Sequence, residues 1–107
     1  MNKPILIVGG GPAGLAAAHA LARVGQKSVL VEKQDRLGGA PILSGYAKLV
    51  PSGEWARDAI GGMVDRVRND PLVDVQTGAQ VESFAGQPGA FSARLSNGAS
   101  VDAAAAI

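Results

Sequence analysis

A glycine-rich turn and one acidic residue near the N-terminus have the spacing of a ligand-binding site. The turn has the pattern G-x-G-x-x-G and contains Gly9, Gly11, Pro12, Ala13 and Gly14. Glycines let backbone N–H groups approach an anion closely, and a helix that begins there adds partial positive charge. Glu32 follows about 20 residues further on, where a carboxylate can accept hydrogen bonds from both ribose hydroxyls. This spacing predicts a site for the diphosphate and ribose of a nucleotide.

The elements that would position these residues form a βαβ unit. Ile5–Val8 is a short run rich in β-branched residues and predicts a parallel strand buried on both faces. A helix with its apolar face at 3.6-residue spacing follows from Pro12, and Gly25 is a plausible C-cap. Ser28–Glu32 predicts the second strand. Gly9 would permit the tight turn, Gly11 the approach of backbone to a diphosphate, and Gly14 close helix–strand packing.

The same stretch raises an alternative, because Ile5–Ala22 contains no charged residue and follows Lys3. Such a run could be an export signal or a membrane anchor. The glycines and Pro12 lie in its middle, however, where each glycine costs a helix about 1 kcal/mol and a proline about 3 kcal/mol. The pattern therefore favours the nucleotide site.

Glu32 also discriminates among nucleotides. Its charge would repel a 2′-phosphate, so NAD or FAD is favoured over NADP, although Lys33 weakens this preference slightly. Gly38 and Gly39 lie in a turn that allows the backbone to run close to a ligand.

The rest of the chain predicts a helix, a strand and a small antiparallel sheet. Ser52 would cap a helix that runs to about Asn69, and the Gly61–Gly62 pair in that helix indicates close packing, a bend or approach to a cofactor. Further strands are expected at 72–77, 81–84, 91–95 and 99–102, with a turn at Asn97–Gly98, and an apolar strand begins at Ala103. The predicted fold is α/β: a Rossmann-like βαβ unit with a three-stranded β-meander, incomplete at its C-terminus.

Composition limits the possible functions. The 107 residues carry a net charge of +1 and include only one Trp, one Tyr and two Phe, so a nucleic-acid partner is not favoured. A chain of this length is expected to form one domain. Because there is no cysteine, an in-chain redox disulfide and a cysteine-ligated zinc or iron–sulfur cluster are excluded. His19 has no companion ligand, so no metal site is predicted, and no residue is a credible catalytic acid, base or nucleophile. We expect a cytoplasmic location and no membrane span.

The glycine pattern, Ala18, Gly25, Glu32 and the Leu37-Gly38-Gly39 segment together resemble the FAD-binding start of two-dinucleotide-binding-domain flavoproteins. Within that superfamily, the segments YAKLVPSG and GQPGAF are most similar to the flavin subunit of heterodisulfide reductase, the HdrA-like family. The resemblance covers the whole chain for the superfamily and rests on few motifs for the narrower family. It implies FAD as the cofactor and identifies residues 1–107 as the N-terminal part of an FAD/NAD(P)-binding domain, a fragment of a longer chain.

The resemblance also implies a role for each matching residue. The diphosphate would be contacted by Gly9, Gly11, Pro12, Ala13 and Gly14. Glu32 would hold the adenosine ribose, and Lys33 would lie near the adenine. Gly38 and Gly39 would lie beside the diphosphate and ribityl chain, and the backbone of Val81 would hydrogen-bond the adenine.

The function that the resemblance implies is that of an FAD-dependent oxidoreductase. FAD would relay electrons between a reductant and a partner protein with an iron–sulfur or thiol/disulfide centre. The sequence departs from the methanogen-type flavin subunit, because no cysteines follow Pro51, and the family's Ala-Thr-Gly flavin contact would begin beyond Ile107. Two alternatives stay open: an NAD(P)H-dependent flavoprotein disulfide or ferredoxin reductase, and a non-catalytic nucleotide-binding fragment.

Overall fold

The computed structural model describes residues 3–38 and 53–107, and the side chains of residues 53–60 lie outside this description. Two helices and seven strands are found in the described part. In chain order they are β1 (Ile5–Val8), α1 (Pro12–Arg23), β2 (Ser28–Glu32), α2 (Gly53–Arg68), β3 (Val73–Thr77), β4 (Val81–Gln87), β5 (Ala90–Leu95), β6 (Ser100–Ala103) and β7 (Ala105–Ala106).

Four strands form a parallel sheet in the order β3-β2-β1-β7. β1 pairs with β2 from Ile5 opposite Ser28 to Val8 opposite Val31, which confirms the predicted βαβ unit. The predicted returning strand is also present, because β7 pairs with β1 in parallel, but its predicted start was wrong, since Ala103 ends β6 and β7 begins at Ala105. Ile107 extends this pairing: its N–H donates to Leu6 O at 2.8 Å, and its carbonyl accepts from Val8 N at 3.1 Å.

The parallel sheet buries a different core on each face, because successive strand residues point to opposite sides. Leu6, Val29 and Val31 pack against the meander, in a cluster that also contains Ala79, Ala93, Leu95, Val101 and Ala103. Ile7 and Leu30 pack against the helices, in a cluster with Leu15, Ala18, Leu37, Val67 and Val73. The fold therefore has three layers: the antiparallel sheet, the parallel sheet and the helical layer.

Helix α1 ends in a Schellman motif built on the predicted Gly25. The N–H of Gly25, whose φ is 78°, donates to Ala22 O at 3.0 Å, and Gln26 N donates to Leu21 O at 2.9 Å. These bonds satisfy carbonyls that the end of a helix leaves without partners. The chain then enters β2 directly.

The three-stranded meander, β4-β5-β6, is antiparallel as predicted. The hairpin prediction was wrong in its bounds, because residues 85–87 and Ala90 belong to the strands and only Pro88–Gly89 connects them. A two-residue turn suffices here, since proline suits the first turn position and Gly89 has a φ of 89°. Phe84 and Phe91 stack across the extended pair with ring centroids 4.8 Å apart.

Helix α2 runs without interruption through Gly61 and Gly62. A Cβ atom added at either glycine would meet nothing within 4 Å among the described residues, so no contact with these residues accounts for the glycine pair. Val67 is buried on the inner face of α2, with Met63 and Val64 partly buried beside it, as the periodicity predicts. The predicted Ser52 cap, the loop from Leu43 to Val50 and Gly39 lie outside the described residues.

The apolar run Ile5–Ala22 is divided between a four-residue strand and the first eleven residues of α1. Neither helix in residues 3–38 and 53–107 is long and apolar enough to cross a membrane.

Candidate functional site

The glycine turn joins β1 to α1 in the tight conformation that its sequence predicts. Gly9 has a φ of 107°, a region that L side chains rarely adopt, and its N–H donates to Val31 O at 2.8 Å. A Cβ atom on Gly14 would overlap the carbonyl oxygen of Gly9. The first turn of α1 therefore lies directly against the end of β1, and only glycine permits this approach.

The N-terminus of α1 presents backbone N–H groups that no side chain caps. Gly11 is the N-cap, in extended conformation, and the first helical residue is Pro12, which has no N–H to lose. The first turn contains no acidic residue. The N–H groups of Ala13 and Gly14 therefore lie at the positive end of the helix dipole, an arrangement that favours an anion such as a diphosphate.

Glu32 ends β2 with its carboxylate turned toward the glycine turn. The residue is only 7% exposed. Its Oε1 accepts from Gly10 N at 2.7 Å, and its Oε2 accepts from Gln34 N at 2.8 Å. Two charge-assisted hydrogen bonds thus compensate the burial of this carboxylate and hold it beside the turn.

A cleft of about 340 Å³ opens at the carboxyl ends of β1 and β2. It is lined by Val8, Gly9, Val31, Glu32, Lys33, Ala79, Gln80 and Val81. Four predicted site residues meet in this cleft: Gly9 and Glu32, predicted from their spacing, and Lys33 and Val81, implied by the family resemblance. Ligands of open α/β sheets bind outside the carboxyl ends of the strands, so the cleft lies where a nucleotide is expected.

Gly38 is held against the glycine turn from the other side. Its N–H donates to Gly10 O at 2.8 Å, and its φ is 109°. Gly10 is therefore bonded through its N–H to Glu32 and through its carbonyl to Gly38. The predicted contact of Gly39 lies outside the described residues.

Val81 begins β4, the edge strand of the meander. Its pair across the ladder is Leu95, and the neighbouring Ser96 N donates to Gln80 O at 2.8 Å. In an antiparallel ladder, hydrogen-bonded residue pairs alternate with non-hydrogen-bonded pairs. Because Gln80 and Ser96 are hydrogen-bonded to each other, Val81 and Leu95 form a non-hydrogen-bonded pair. The backbone N–H and C=O of Val81 therefore point away from β5, toward the open edge.

Four lining residues were missed as site residues in the sequence: Val8, Val31, Ala79 and Gln80. Val8 was expected inside a strand buried on both faces, but it is 56% exposed because it opens into the cleft. Its place at the end of β1, directly before Gly9, was an available signal. Ala79 and Gln80 lie between β3 and β4, and only the tertiary fold brings that connection to Glu32.

No group of three or more His, Cys, Asp or Glu side chains that could hold a metal ion is found in the described part of the chain. The described groups of the site are a buried carboxylate, a helix N-terminus and a cleft with apolar walls, which suit the binding of a nucleotide.

This fold and site define the class of nucleotide-binding Rossmann-type domains whose parallel sheet is covered by helices on one face and a β-meander on the other. A family model described as FAD dependent oxidoreductase matches residues 4–98, and the chain belongs to this family. Membership confirms the predicted FAD cofactor and the predicted family of FAD-dependent oxidoreductases.

The relatives in sequence include the predicted narrower family. The iron-sulfur subunit HdrA of the CoB–CoM heterodisulfide reductase of Methanocaldococcus jannaschii is 36% identical over 85% of this chain and 14% of that protein. A urocanate reductase of Eggerthella lenta is 42% identical over 64% of this chain and 12% of that protein. An NADH oxidase of Thermoanaerobacter brockii is 35% identical over 72% of this chain and 12% of that protein. The matches therefore span only about an eighth of the length of these relatives.

Solved structures share the fold along nearly the whole chain. L-proline dehydrogenase from P. horikoshii superposes with a TM-score of 0.78 at 20% identity, over 97% of this chain and 21% of that one. A NAD-dependent persulfide reductase from A. fulgidus has a TM-score of 0.69 at 22% identity, over 97% of this chain and 17% of that one.

Proposed function

We propose that the cleft and the N-terminus of α1 hold the adenosine diphosphate half of FAD. The observation that carries this proposal is the position of Glu32, buried between the glycine turn and the cleft. A carboxylate has about four lone-pair sites, and the backbone N–H groups of Gly10 and Gln34 use two of them. The remaining sites can accept hydrogen bonds from ribose hydroxyls.

The diphosphate would lie at the uncapped N-terminus of α1, contacted by Gly9, Gly11, Pro12, Ala13 and Gly14. Gly11 supports this placement, because a Cβ atom added there would meet no described atom within 4 Å. The open side of Gly11 therefore leaves room for a ligand to approach the backbone. Gly38 and Gly39 would lie beside the diphosphate and ribityl chain.

The adenine would then lie on the far side of Glu32 from the helix, between Lys33 and the segment Ala79–Val81. The outward-pointing backbone groups of Val81 support this placement, since a neighbouring N–H and C=O match the acceptor and donor of an adenine edge. The exposed side chain of Val8 would form the apolar floor under the sugar and base.

For the whole protein, we propose an oxidoreductase in which FAD relays electrons between a reductant and a partner with an iron–sulfur or thiol/disulfide centre. FAD supplies the redox chemistry, while the residues of this chain bind it and fix its position. The relationship to the HdrA protein of heterodisulfide reductase supports this partner class. The predicted cytoplasmic location stays a prediction.

A second candidate is an NAD(P)H-dependent flavoprotein disulfide or ferredoxin reductase, which the NADH oxidase relative favours. The two candidates share the FAD site and differ in the electron donor. A non-catalytic nucleotide-binding role is the third possibility from the sequence, and it differs from both in having no electron transfer.

Flavin binding is tested first, with the full chain mixed with FAD and passed through a desalting column. We expect retained flavin absorbance in the wild type and a loss in Glu32→Ala, whereas exposed Glu82→Ala on β4 serves as the matched control. A wild type that retains no flavin would contradict the proposed site.

The electron donor is tested next, in a protein that contains this chain together with its flavin-ring environment. Bleaching of the flavin by reduced ferredoxin or a dithiol, without bleaching by NADH or NADPH, would support the relay. Rapid bleaching by NADH would favour the second candidate, and a flavin that no donor reduces would favour the non-catalytic role.

A further inference from the structure

Ser96, in the turn after β5, holds both backbone polar groups of Gln80. Its Oγ accepts from Gln80 N at 3.0 Å, and its own N–H donates to Gln80 O at 2.8 Å. Gln80 directly precedes β4 and lines the cleft. A single exposed serine therefore ties the turn between β5 and β6 to the wall of the nucleotide site.

This clamp lies next to an irregular point in the sheet. The β4–β5 register shifts between Val81 and Ser83, where a bulge interrupts regular pairing. At such a point a slip of one residue would change which backbone groups face the neighbouring strand. Because Ser96 fixes Gln80 immediately before the bulge, the backbone N–H and C=O of Val81 stay directed to the open edge.

The backbone just before Val81 has few free donors. Gly78 N donates to Gln34 O at 2.7 Å, and Ala79 N donates to Glu32 O at 3.1 Å. Because the N–H and C=O of Gln80 are both bonded to Ser96, Val81 is the first residue of this segment whose backbone N–H and C=O are directed outward. Recognition of a base at this wall would depend on that one pair and on the side-chain amide of Gln80.

The turn that carries Ser96 is itself anchored to the parallel sheet. Asn97 Nδ2 donates to Gln76 Oε1 at 3.2 Å, and Asn97 Oδ1 accepts from Ala99 N at 3.0 Å. Gln76 belongs to β3, so the turn is fixed relative to the strand that leads into the cleft.

We infer that Ser96 is a positioning residue that sets base specificity by holding the Val81 backbone toward the cleft. This inference rests on the proposed placement of adenine beside Val81. Adenine presents an amino donor beside a ring-nitrogen acceptor, whereas a 6-oxopurine presents a carbonyl acceptor in place of the amino group. When the N–H and C=O of Val81 are directed to the base, they therefore favour adenine over hypoxanthine, the 6-oxopurine base of IDP. When this pair is displaced, the preference for adenine is lost.

The experiment compares three variants of the full chain: Ser96→Ala, Ser96→Thr and Ser92→Ala. Thr keeps a hydroxyl acceptor at position 96, and Ser92 is an exposed serine on the outer side of β5, away from the cleft. Dissociation constants for FAD, ADP and IDP are measured by calorimetry, and urea unfolding is measured without ligand.

We expect the wild type to bind ADP in competition with FAD and to prefer ADP over IDP. Ser96→Ala should weaken ADP and FAD binding by about threefold to tenfold, the effect of one lost hydrogen bond, and should remove most of the preference over IDP. Ser96→Thr should restore the preference, and Ser92→Ala should leave it unchanged.

Other outcomes overturn the inference in distinguishable ways. A wild type in which ADP does not compete with FAD would overturn the proposed site together with this inference. A wild type that competes but binds IDP as tightly as ADP would overturn the inference alone. An unchanged ADP-to-IDP ratio in Ser96→Ala would also overturn it, even if both nucleotides bound more weakly, because an equal loss indicates only a structural role.

Discussion

The backbone N–H of Gly10 donates to Oε1 of Glu32 at 2.7 Å, across 22 residues of sequence. This bond joins the middle of the glycine turn to the end of β2. The second carboxylate oxygen accepts from Gln34 N, so each oxygen faces an N–H donor. Glu32 therefore organises the turn in addition to its proposed contact with ribose.

Replacing Glu32 by Gln should destabilise the chain before any ligand is added. An amide has one acceptor oxygen, and its NH2 group would face one of the two backbone N–H donors. We expect a loss of about 1–3 kcal/mol in the free energy of unfolding, the cost of a buried polar group without its partner. Urea unfolding of the unliganded chain measures this effect, with exposed Glu82→Gln as the control. If Glu32→Gln and Glu82→Gln were equally stable, the Glu32 carboxylate would contribute to ligand binding and not to the stability of the unliganded chain.

Gly14 and Gly11 should respond differently to alanine. Gly14→Ala places a methyl group against Gly9 O, so α1 must move away from β1, and we expect both lower stability and weaker FAD binding. Gly11→Ala meets no described neighbour and has an ordinary negative φ, so the expected cost in stability is only that of a poorer N-cap residue, at most about 1 kcal/mol. FAD affinity should still fall in Gly11→Ala, because the methyl group occupies the proposed path of the diphosphate.

The measurements for this pair are urea unfolding and titration of flavin fluorescence. If Gly11→Ala bound FAD as tightly as the wild type, the diphosphate would not lie against Gly11. If Gly14→Ala were as stable as the wild type, the close approach of helix and strand would not limit this position.

The two strands of the βαβ unit could be predicted to the residue because their signals are local. Ile5–Val8 and Ser28–Glu32 were predicted with the bounds that the structure has, since glycine or proline flanks the first and Gly25 precedes the second. The hairpin bounds failed because the glycine and proline between Phe84 and Phe91 indicated a longer loop. Pairing between β4 and β5, including the stack of Phe84 on Phe91, extends both strands into the segment that was predicted as a loop.

The candidate site was predictable in part for the same reason. The glycine pattern and Glu32 lie within one supersecondary unit of known geometry, so their meeting follows from spacing. Ser96 and Gln80 are 16 residues apart and belong to no motif, and their bond depends on how the meander packs. The burial of the Glu32 carboxylate against Gly10 likewise depends on the shape of the turn rather than on its composition.

Gly62→Ala should stabilise the protein. Gly62 is exposed inside α2, and a Cβ atom there would meet nothing within 4 Å among the described residues. Alanine reduces the entropy lost on folding, so we expect a gain of about 0.5–1 kcal/mol in the free energy of unfolding. Thermal and urea unfolding measure the gain, and unchanged FAD affinity is expected in the same variant. A loss of stability would indicate that this surface of α2 is covered in the protein.

Ser28→Ala should leave stability unchanged or raise it by up to about 1 kcal/mol. Ser28 begins β2, is 1% exposed, and its Oγ has no hydrogen-bond partner among the described residues. A buried hydroxyl without a partner carries a desolvation cost that a methyl group does not. Urea unfolding of Ser28→Ala tests this expectation, and Ser96→Ala, which removes a hydroxyl that accepts a hydrogen bond, provides the contrast. If Ser28→Ala lost more than about 1 kcal/mol, the hydroxyl would have to be satisfied by a buried water molecule between β2 and its neighbours.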